Sequence, residues 1–249
     1  QSSAASDVYK RQASKNLSIK KVLMISSDKA VRPTNIMGAS KRLSEIIVQA
    51  FANDAQKNLL NKKDQKTCFS MVRFGNVLSS SGSAVPLFIK QISSGGPVTL
   101  THPKITRYFM TIKEASQLVI QSSAMAKGGE VFLLDMGKPI CIKDLVIKLI
   151  KLSGLQLKDN TNPYGDIEIK ITGLRPGEKL FEELLIDAEA EKTDHPLIFR
   201  AKENFIMMDE IIPKLHNLKK NIDERNEDQT LKILNELVKE WENQNKKNR

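Results

Sequence analysis

The sequence contains little that is typical of disulfide-rich, metal-binding or membrane-spanning proteins. Its 249 residues include two cysteines, three histidines and one tryptophan. Cys68 and Cys141 lie far apart in apolar segments, which favours buried thiols in a reducing compartment. The histidines are isolated, and we assign them no metal or catalytic role. No apolar run approaches the length of a membrane span. We therefore expect a globular chain without a metal.

The sequence also lacks the glycine-rich turn with which a dinucleotide-binding domain begins. Neither Gly-x-Gly-x-x-Gly nor Gly-x-x-Gly-x-x-Gly occurs in it. Residues 7–12 (DVYKRQ) match the translation of a common sequencing-library adaptor, so we interpret residues 1–12 as a non-native segment. We expect the chain to be the C-terminal part of a longer protein whose upstream part supplies the missing turn.

The charge is strongly basic, with a formal net charge of +10. Such a balance can indicate binding to nucleic acid or to an anionic membrane. The lysines are scattered along the chain, however, and this pattern is more typical of solvated faces. We therefore predict no nucleic-acid partner and no membrane contact from this chain.

The most informative segment begins at the end of a predicted buried strand. The apolar run at 22–25 predicts that strand. Ser26 and Ser27 follow it, and Asp28 and Lys29 come directly after them. Open α/β sheets bind their ligands at the carboxyl ends of their strands. A hydroxyl and two opposite charges at this position therefore predict a site.

A helix is predicted to follow this segment. Pro33 stops any helix from extending backwards, and Thr34 or Asn35 can cap the next one. Met37 and Lys41 are four residues apart on that helix, so they share a face. We expect the strand-end residues and Lys41 to converge on one pocket.

Hydrophobic periodicity predicts strands that alternate with helices. Such alternation is typical of a doubly wound parallel sheet. The predicted strands are 20–25, 67–74, 97–100, 131–134 and 166–172. The predicted helices are 35–55, 84–93, 112–125, 142–154 and 179–185, with most of the remaining chain helical.

Four ordered motifs resemble the extended short-chain dehydrogenase/reductases. The resemblance is greatest to the nucleotide-sugar 4,6-dehydratases of polysaccharide biosynthesis, especially UDP-N-acetylglucosamine 4,6-dehydratase. The motifs are Ser27-Asp28-Lys29 with Met37-x-x-x-Lys41, then 73–77 (RFGNV), 106–111 (TRYFMT) and 173–179 (GLRPGEK). The usual tyrosine of the family is Met37 here, as in its long, membrane-anchored subgroup. The resemblance extends from about residue 18 to about residue 185.

This resemblance implies an incomplete Rossmann-like sheet with a smaller α/β substrate domain. Residues 13–78 and 106–136 would complete the dinucleotide-binding domain, and residues 79–105 and 137–249 would form the substrate domain. It further implies a tightly bound, recycled NAD or NADP, a UDP-sugar substrate and a homo-oligomer. The location implied is cytoplasmic, with upstream helices anchoring the full-length protein in the inner membrane.

The resemblance also implies roles at the strand end. Ser27 would bond the oxygen on sugar carbon 4 beside the cofactor. Asp28 would protonate the leaving 6-hydroxyl, Lys29 would take the proton from carbon 5, and Lys41 would hold the nicotinamide ribose. Met37 cannot be the base for the 4-hydroxyl because a thioether has no proton to exchange. Asp28, Lys41 acting through a water, or the substrate itself would serve instead.

Further residues are implied to bind the substrate. Asn76 would contact the phosphates. Arg175 would bind the diphosphate, since its planar guanidinium suits that group. Glu178 would accept hydrogen bonds from the ribose hydroxyls. Arg107 would contact the phosphates or hold the sheet together, and both interpretations stay open. The complete predicted set is Arg73, Asn76, Pro86, Leu87, Thr99, Arg107, Arg175 and Glu178.

Two alternative functions are weighed against the dehydratase. A UDP-sugar 4-epimerase would share the fold and cofactor but would not need Asp28 and Lys29 as acid and base, and Met37 counts against it. A non-catalytic nucleotide-sugar or dinucleotide-binding module would explain the loss of the tyrosine. The presence of the Asp-Lys pair and of Lys41 argues against that module.

Overall fold

The computed structural model describes residues 19–57, 67–80, 83–183, 190–201 and 203–241. The described residues form two compact units. Unit 1 holds those up to residue 74, residues 117–135 and those from 183 onward, and unit 2 holds residues 75–116 and 136–182. The segment 1–12, predicted to be non-native, lies outside the described residues.

The elements are numbered in chain order. The strands are β1 (Lys21–Ile25), β2 (Cys68–Arg73), β3 (Asn76–Val77), β4 (Val98–Leu100), β5 (Thr106–Arg107), β6 (Phe109–Met110), β7 (Val131–Leu134), β8 (Ile140–Cys141), β9 (Leu157–Lys158), β10 (Ile167–Ile171), β11 (Ala190–Lys192) and β12 (Ile198–Ala201). The helices are α1 (Ile36–Lys57), α2 (Ala84–Ser93), α3 (Ile112–Met125), α4 (Ile142–Leu152), α5 (Met208–Asp223) and α6 (Glu227–Leu237).

Unit 1 is built on a five-stranded sheet in the order β1-β2-β7-β12-β11. The strands β1, β2 and β7 run parallel, whereas β12 and β11 are antiparallel to their neighbours. The parallel strands are runs of mostly apolar residues, the composition expected where a sheet is covered on both faces. The α/β class is confirmed, and the two antiparallel strands extend the predicted parallel sheet.

Helix α1 begins where the sequence predicts it. Of the two predicted caps, Asn35 is the one used, because its Oδ1 accepts a hydrogen bond from the Gly38 N–H at 2.9 Å. The apolar face of the helix contains Leu43 and Ile47 and is buried against β2 and β7. This burial fixes the helix beside the carboxyl end of β1.

The C-terminal helices complete the same core. Ile211 and Leu218 of α5, Leu234 and Leu237 of α6, and Trp241 join the apolar cluster that surrounds α1. We predicted residues 137–249 in the substrate domain, but those from 183 onward belong to unit 1. The reason is that the apolar stripes of α5 and α6 are buried on α1, and that β12 pairs with β7.

Unit 2 has a three-stranded parallel sheet in the order β4-β10-β9. Helices α2 and α4 cover it with a separate apolar core that includes Phe88, Val98, Val146 and Ile167. Residues 106–116, predicted in the dinucleotide-binding domain, also lie in unit 2. They do so because β5 and β6 pair with β8 and β3.

Two further segments differ from the sequence prediction. Residues 179–183 are not helical, and the rest of the predicted helix 179–185 lies outside the described residues. Strands β11 and β12 occupy a stretch that we predicted to be mostly helical.

Candidate active site

The strand-end segment forms a compact, charged loop. Ser27 caps a short 3-10 helix, Asp28–Ala30, and its hydroxyl accepts from the Lys29 N–H at 3.3 Å. The same hydroxyl donates to Asp28 Oδ1 at 2.8 Å, and Lys29 Nζ lies 2.7 Å from that oxygen. The structure thus brings the side chains of Ser27, Asp28 and Lys29 into contact at the end of β1.

The Asp28 carboxylate is an unusual feature of this loop. Its side chain is fully buried, while the Lys29 side chain is 25% exposed. Asp28 Oδ2 accepts no hydrogen bond within the described part of the chain. Leaving a buried charged oxygen unbonded costs free energy, so this oxygen is a candidate to meet a bound ligand.

The loop and helix α1 are held in close contact at Gly38. A Cβ built there would lie 2.4 Å from the Lys29 carbonyl oxygen and 3.0 Å from Pro33 Cβ. No side chain fits at these distances without moving the loop. Glycine at this position therefore lets the first turn of α1 approach the Asp28–Lys29 backbone.

Helix α1 carries the other two predicted residues. Met37 is 58% exposed, and Lys41, one turn later, is half-buried. Among the described residues, the Lys41 side chain has no hydrogen-bond or ion-pair partner. Its ammonium group is therefore available to a ligand.

Arg73 requires a correction. We predicted that it contacts the substrate, but its side chain is fully buried in ion pairs with Glu45 and Glu203. Burial lowers the pKa of Arg73, but the two carboxylates outweigh it and raise the pKa above its ordinary value. With its donors directed at these carboxylates, Arg73 is a structural residue of unit 1.

Sequence reasoning missed Glu45 and Ser26. Ser26 Oγ donates to Glu45 Oε1 at 2.5 Å, and both residues are buried. Burial raises the pKa of Glu45, but Arg73 and Arg42 outweigh it and hold the pKa below its ordinary value. The available signal was a single acidic residue on the apolar face of α1, four positions after Lys41.

Several predicted substrate residues lie in unit 2. Asn76 pairs along β3 with β6, and its Nδ2 donates to the Tyr108 carbonyl at 3.3 Å. The Thr99 hydroxyl accepts from Gln91 Nε2 at 2.9 Å. Pro86 and Leu87 are exposed in the first turn of α2. Polar and apolar groups are thus presented on separate elements of this unit.

Arg107 and Glu178 form an ion pair within unit 2. Arg107 Nη2 lies 3.5 Å from Glu178 Oε1, and Arg107 Nε lies 3.4 Å from Glu182 Oε1. These contacts favour the structural interpretation of Arg107. Glu178 also accepts from the Arg175 N–H at 3.0 Å, while the Arg175 side chain is exposed without an ion-pair partner among the described residues.

No described helix combines the length and apolar character that a membrane span requires. The described residues have the Rossmann-like α/β fold of the short-chain dehydrogenase/reductases. A family model described as polysaccharide biosynthesis protein matches residues 5–203. The chain belongs to this family. The match begins inside the segment 1–12 that we predicted to be non-native.

Two curated relatives show the range of the similarity. The capsular polysaccharide biosynthesis protein CapD of Staphylococcus aureus is 47% identical over 90% of this chain and 34% of its own length. A UDP-glucose 4-epimerase of Rickettsia massiliae is 33% identical over 72% of this chain and 47% of its own length. The chain therefore spans between a third and a half of these relatives.

Solved structures confirm the Rossmann-like fold. The structure of Pen from Bacillus thuringiensis has a TM-score of 0.62 and 34% identity, covering 83% of this chain and 65% of that chain. A dTDP-glucose 4,6-dehydratase of Bacillus anthracis in complex with NAD has a TM-score of 0.53 and 16% identity, covering 67% of this chain and 54% of that chain.

Proposed function

We propose that the full-length protein is a UDP-N-acetylglucosamine 4,6-dehydratase of polysaccharide biosynthesis. The observation that carries this proposal is the buried Asp28 carboxylate, paired with Lys29 at 2.7 Å and with one oxygen unbonded among the described residues. The activity is proposed for the longer protein, because the chain spans 34% of CapD. We place it at the cytoplasmic face of the membrane, in a homo-oligomer.

The residues around the loop fit a nicotinamide cofactor. When bound, NAD or NADP supplies a hydride acceptor at sugar carbon 4 and a hydride donor at carbon 6. Lys41 would hold the nicotinamide ribose, since its ammonium group is unpaired among the described residues. The exposed apolar side chains of Ile36 and Met37 suit a flat aromatic ring.

The acid-base pair accounts for the elimination of water. Lys29 Nζ takes the proton from carbon 5, and Asp28 gives a proton to the leaving 6-hydroxyl, so that one water is lost. The elimination thus begins with a proton on Asp28, which leaves with the water, and ends with a different proton, taken from carbon 5, on Lys29. Lys29 returns its proton to carbon 5 in the final step, and the proton released by the 4-hydroxyl in the first step makes up for the one that Asp28 gives away. The 2.7 Å contact keeps the acid and the base within proton-transfer distance of each other.

Three groups are candidates for the base that takes the proton from the 4-hydroxyl. Ser27 binds the 4-oxygen, but its hydroxyl already donates to Asp28. Asp28 can receive a proton through that hydrogen bond, Lys41 can act through a water, or the substrate itself can assist. Met37 has no acid-base chemistry and serves by packing.

The substrate would be bound by residues of unit 2. Arg175 would grip the diphosphate, because its guanidinium is exposed and unpaired among the described residues. Asn76 would contact the phosphates, and Thr99 and Glu178 would contact the uridine. Pro86 and Leu87 would offer apolar surface to the sugar nucleotide. Arg73 has no part in this proposal.

The test is the mass of the product. Full-length protein incubated with UDP-N-acetylglucosamine and catalytic NAD or NADP should give a nucleotide sugar lighter by one water, without net cofactor reduction. Mass spectrometry and absorbance at 340 nm follow the two quantities. A product of unchanged mass would contradict the dehydratase and indicate the epimerase.

A UDP-sugar 4-epimerase is the second candidate, because a relative of that name is 33% identical to the chain. An epimerase does not use Asp28 and Lys29 as acid and base for elimination. The buried, paired Asp28 therefore favours the dehydratase. Binding of the nucleotide sugar without any product would instead indicate the non-catalytic module.

A further inference from the structure

The interior of unit 1 contains a network of four buried charges. Glu45 Oε1 accepts from Arg73 Nε at 2.7 Å, and Glu45 Oε2 accepts from Arg42 Nη1 at 3.1 Å. Glu203 Oε2 lies 2.8 Å from Arg42 Nη1 and 2.7 Å from Arg73 Nη2. Two arginines thus meet two glutamates, and all four side chains are at most 4% exposed.

One hydrogen bond of this network leads to the candidate catalytic loop. The Ser26 hydroxyl donates to Glu45 Oε1 at 2.5 Å, and Ser26 is 3% exposed. The Ser26 N–H donates to the Val72 carbonyl at 2.7 Å, and the Asp28 N–H donates to the Phe74 carbonyl at 3.3 Å. The backbone bonds fix the loop along β2, and the Ser26 hydroxyl fixes it against α1.

Stability alone does not account for such a network. Buried ion pairs are expensive to desolvate, and well-packed apolar residues often stabilise a core as well or better. A charged network does specify one geometry, because each partner must meet its hydrogen bonds. Glu45 also lies one turn after Lys41 on α1. It therefore connects the loop that follows Ser26 with the helix that carries Lys41.

We propose that Glu45 is a positioning residue that acts through the Ser26 hydroxyl to hold the Ser27–Asp28 loop in register with Lys41. This inference rests on the proposed function for its kinetic consequence. Its geometric consequence, a rigid loop, does not depend on that function.

The test uses Ser26→Ala in the full-length protein, with Ser122→Ala as the matched control. Ser122 is also fully buried, but its hydroxyl bonds the Leu118 carbonyl within α3 and does not reach the loop. Ser26→Ala should lower kcat about tenfold or more while KM changes less than about twofold. Ser26→Thr, which retains a hydroxyl, should recover most of the lost kcat.

A second measurement separates positioning from activity. Amide hydrogen exchange in peptides covering residues 24–32 should be faster in Ser26→Ala than in wild type and unchanged in Ser122→Ala. Glu45→Ala should reduce kcat as well, and adding Ser26→Ala to it should cost little more, because both changes remove the Ser26–Glu45 hydrogen bond. If Glu45→Ala fails to fold, the Ser26 variants still decide.

The outcomes distinguish this inference from the proposed function. Equal kcat and equal loop exchange in Ser26→Ala and Ser122→Ala would overturn the positioning role. If wild-type protein forms no product, the proposed function fails, and the exchange rates alone decide whether Glu45 positions the loop. Faster loop exchange confined to Ser26→Ala would then support it, and equal exchange would overturn it.

Discussion

Asp28 and Lys29 are adjacent in the chain but differ in environment. The carboxylate is fully buried, and the lysine side chain is 25% exposed, with 2.7 Å between their charged atoms. Their contact keeps two opposite charges together at the edge of a core, where an unpaired carboxylate would be costly. The pair can therefore exchange a proton without leaving an unpaired charge on either side chain.

Asp28→Asn and Lys29→Ala should block elimination more strongly than the initial oxidation. The asparagine cannot protonate the leaving hydroxyl, and the alanine cannot take the proton from carbon 5. We expect turnover to fall by about a hundredfold or more, while absorbance at 340 nm still shows reduced cofactor on adding substrate.

Asp194→Asn and Lys138→Ala are suitable controls, because they make the same changes at exposed positions. Both should retain wild-type turnover. Normal dehydration by Asp28→Asn or Lys29→Ala would show that the assigned acid and base roles are wrong.

Local sequence was sufficient to place Ser27, Asp28 and Lys29 at the end of a strand, because all three follow one apolar run. It could not assign Arg73, which stands in a matching motif but is paired with Glu45, 28 positions earlier in the chain, and with Glu203, 130 positions later. Whether an arginine faces a ligand or a buried carboxylate depends on the tertiary fold. The same holds for the Ser26–Glu45 bond.

Helix α1 is the element on which most of the candidate site depends. Asn35 caps it, Gly38 lets it approach the loop, Lys41 is carried one turn after Met37 and Glu45 lies in the charged network. Its 3.6-residue apolar period predicted the helix from sequence. The short strands β11 and β12 were missed because they lack a long apolar run and are defined by pairing with β7.

Glu45 should make the stability of unit 1 depend on acid pH. Burial raises its pKa, but Arg73 and Arg42 lower the pKa by more than burial raises it. The pKa in the folded state therefore lies below that of an unfolded glutamate. The folded state then binds fewer protons. Its stability is fully present above about pH 4.3 and is lost as the pH falls.

Below that pH, the free energy of unfolding should fall by about 1.4 kcal/mol per pH unit from this group. Urea unfolding between pH 6 and pH 3 would measure the slope. Glu45→Gln should be less stable but show a shallower slope, whereas Ser26→Ala should keep the wild-type slope. An identical slope in Glu45→Gln would contradict the assignment.

At the scale of the whole molecule, unit 1 is assembled from both ends of the described sequence. Helix α1 lies near its beginning, and α5, α6 and Trp241 near its end, yet they share one apolar cluster. Sequence periodicity identified the helices but not their partner. The apolar face of α1 predicts that another element covers it, but it does not identify that element.

Leu237→Ala should therefore destabilise unit 1 by about 2–5 kcal/mol, since Leu237 is 1% exposed in this cluster. Leu197→Ala in the same unit, at a side chain 45% exposed, should cost much less. Thermal or urea unfolding of both variants gives the comparison. Equal losses would show that α6 does not contribute to the core of unit 1.

The antiparallel strand β12 limits how far the chain can be shortened in practice. It pairs with β7 along Val131–Leu134, four consecutive buried apolar residues. A shorter version ending before Ile198 would lack β12, so β7 would become an open sheet edge. Such an edge is a ready template for pairing with other molecules. Expression of such versions should yield aggregates, so any soluble piece for crystallisation or immunisation has to retain residues 198–201.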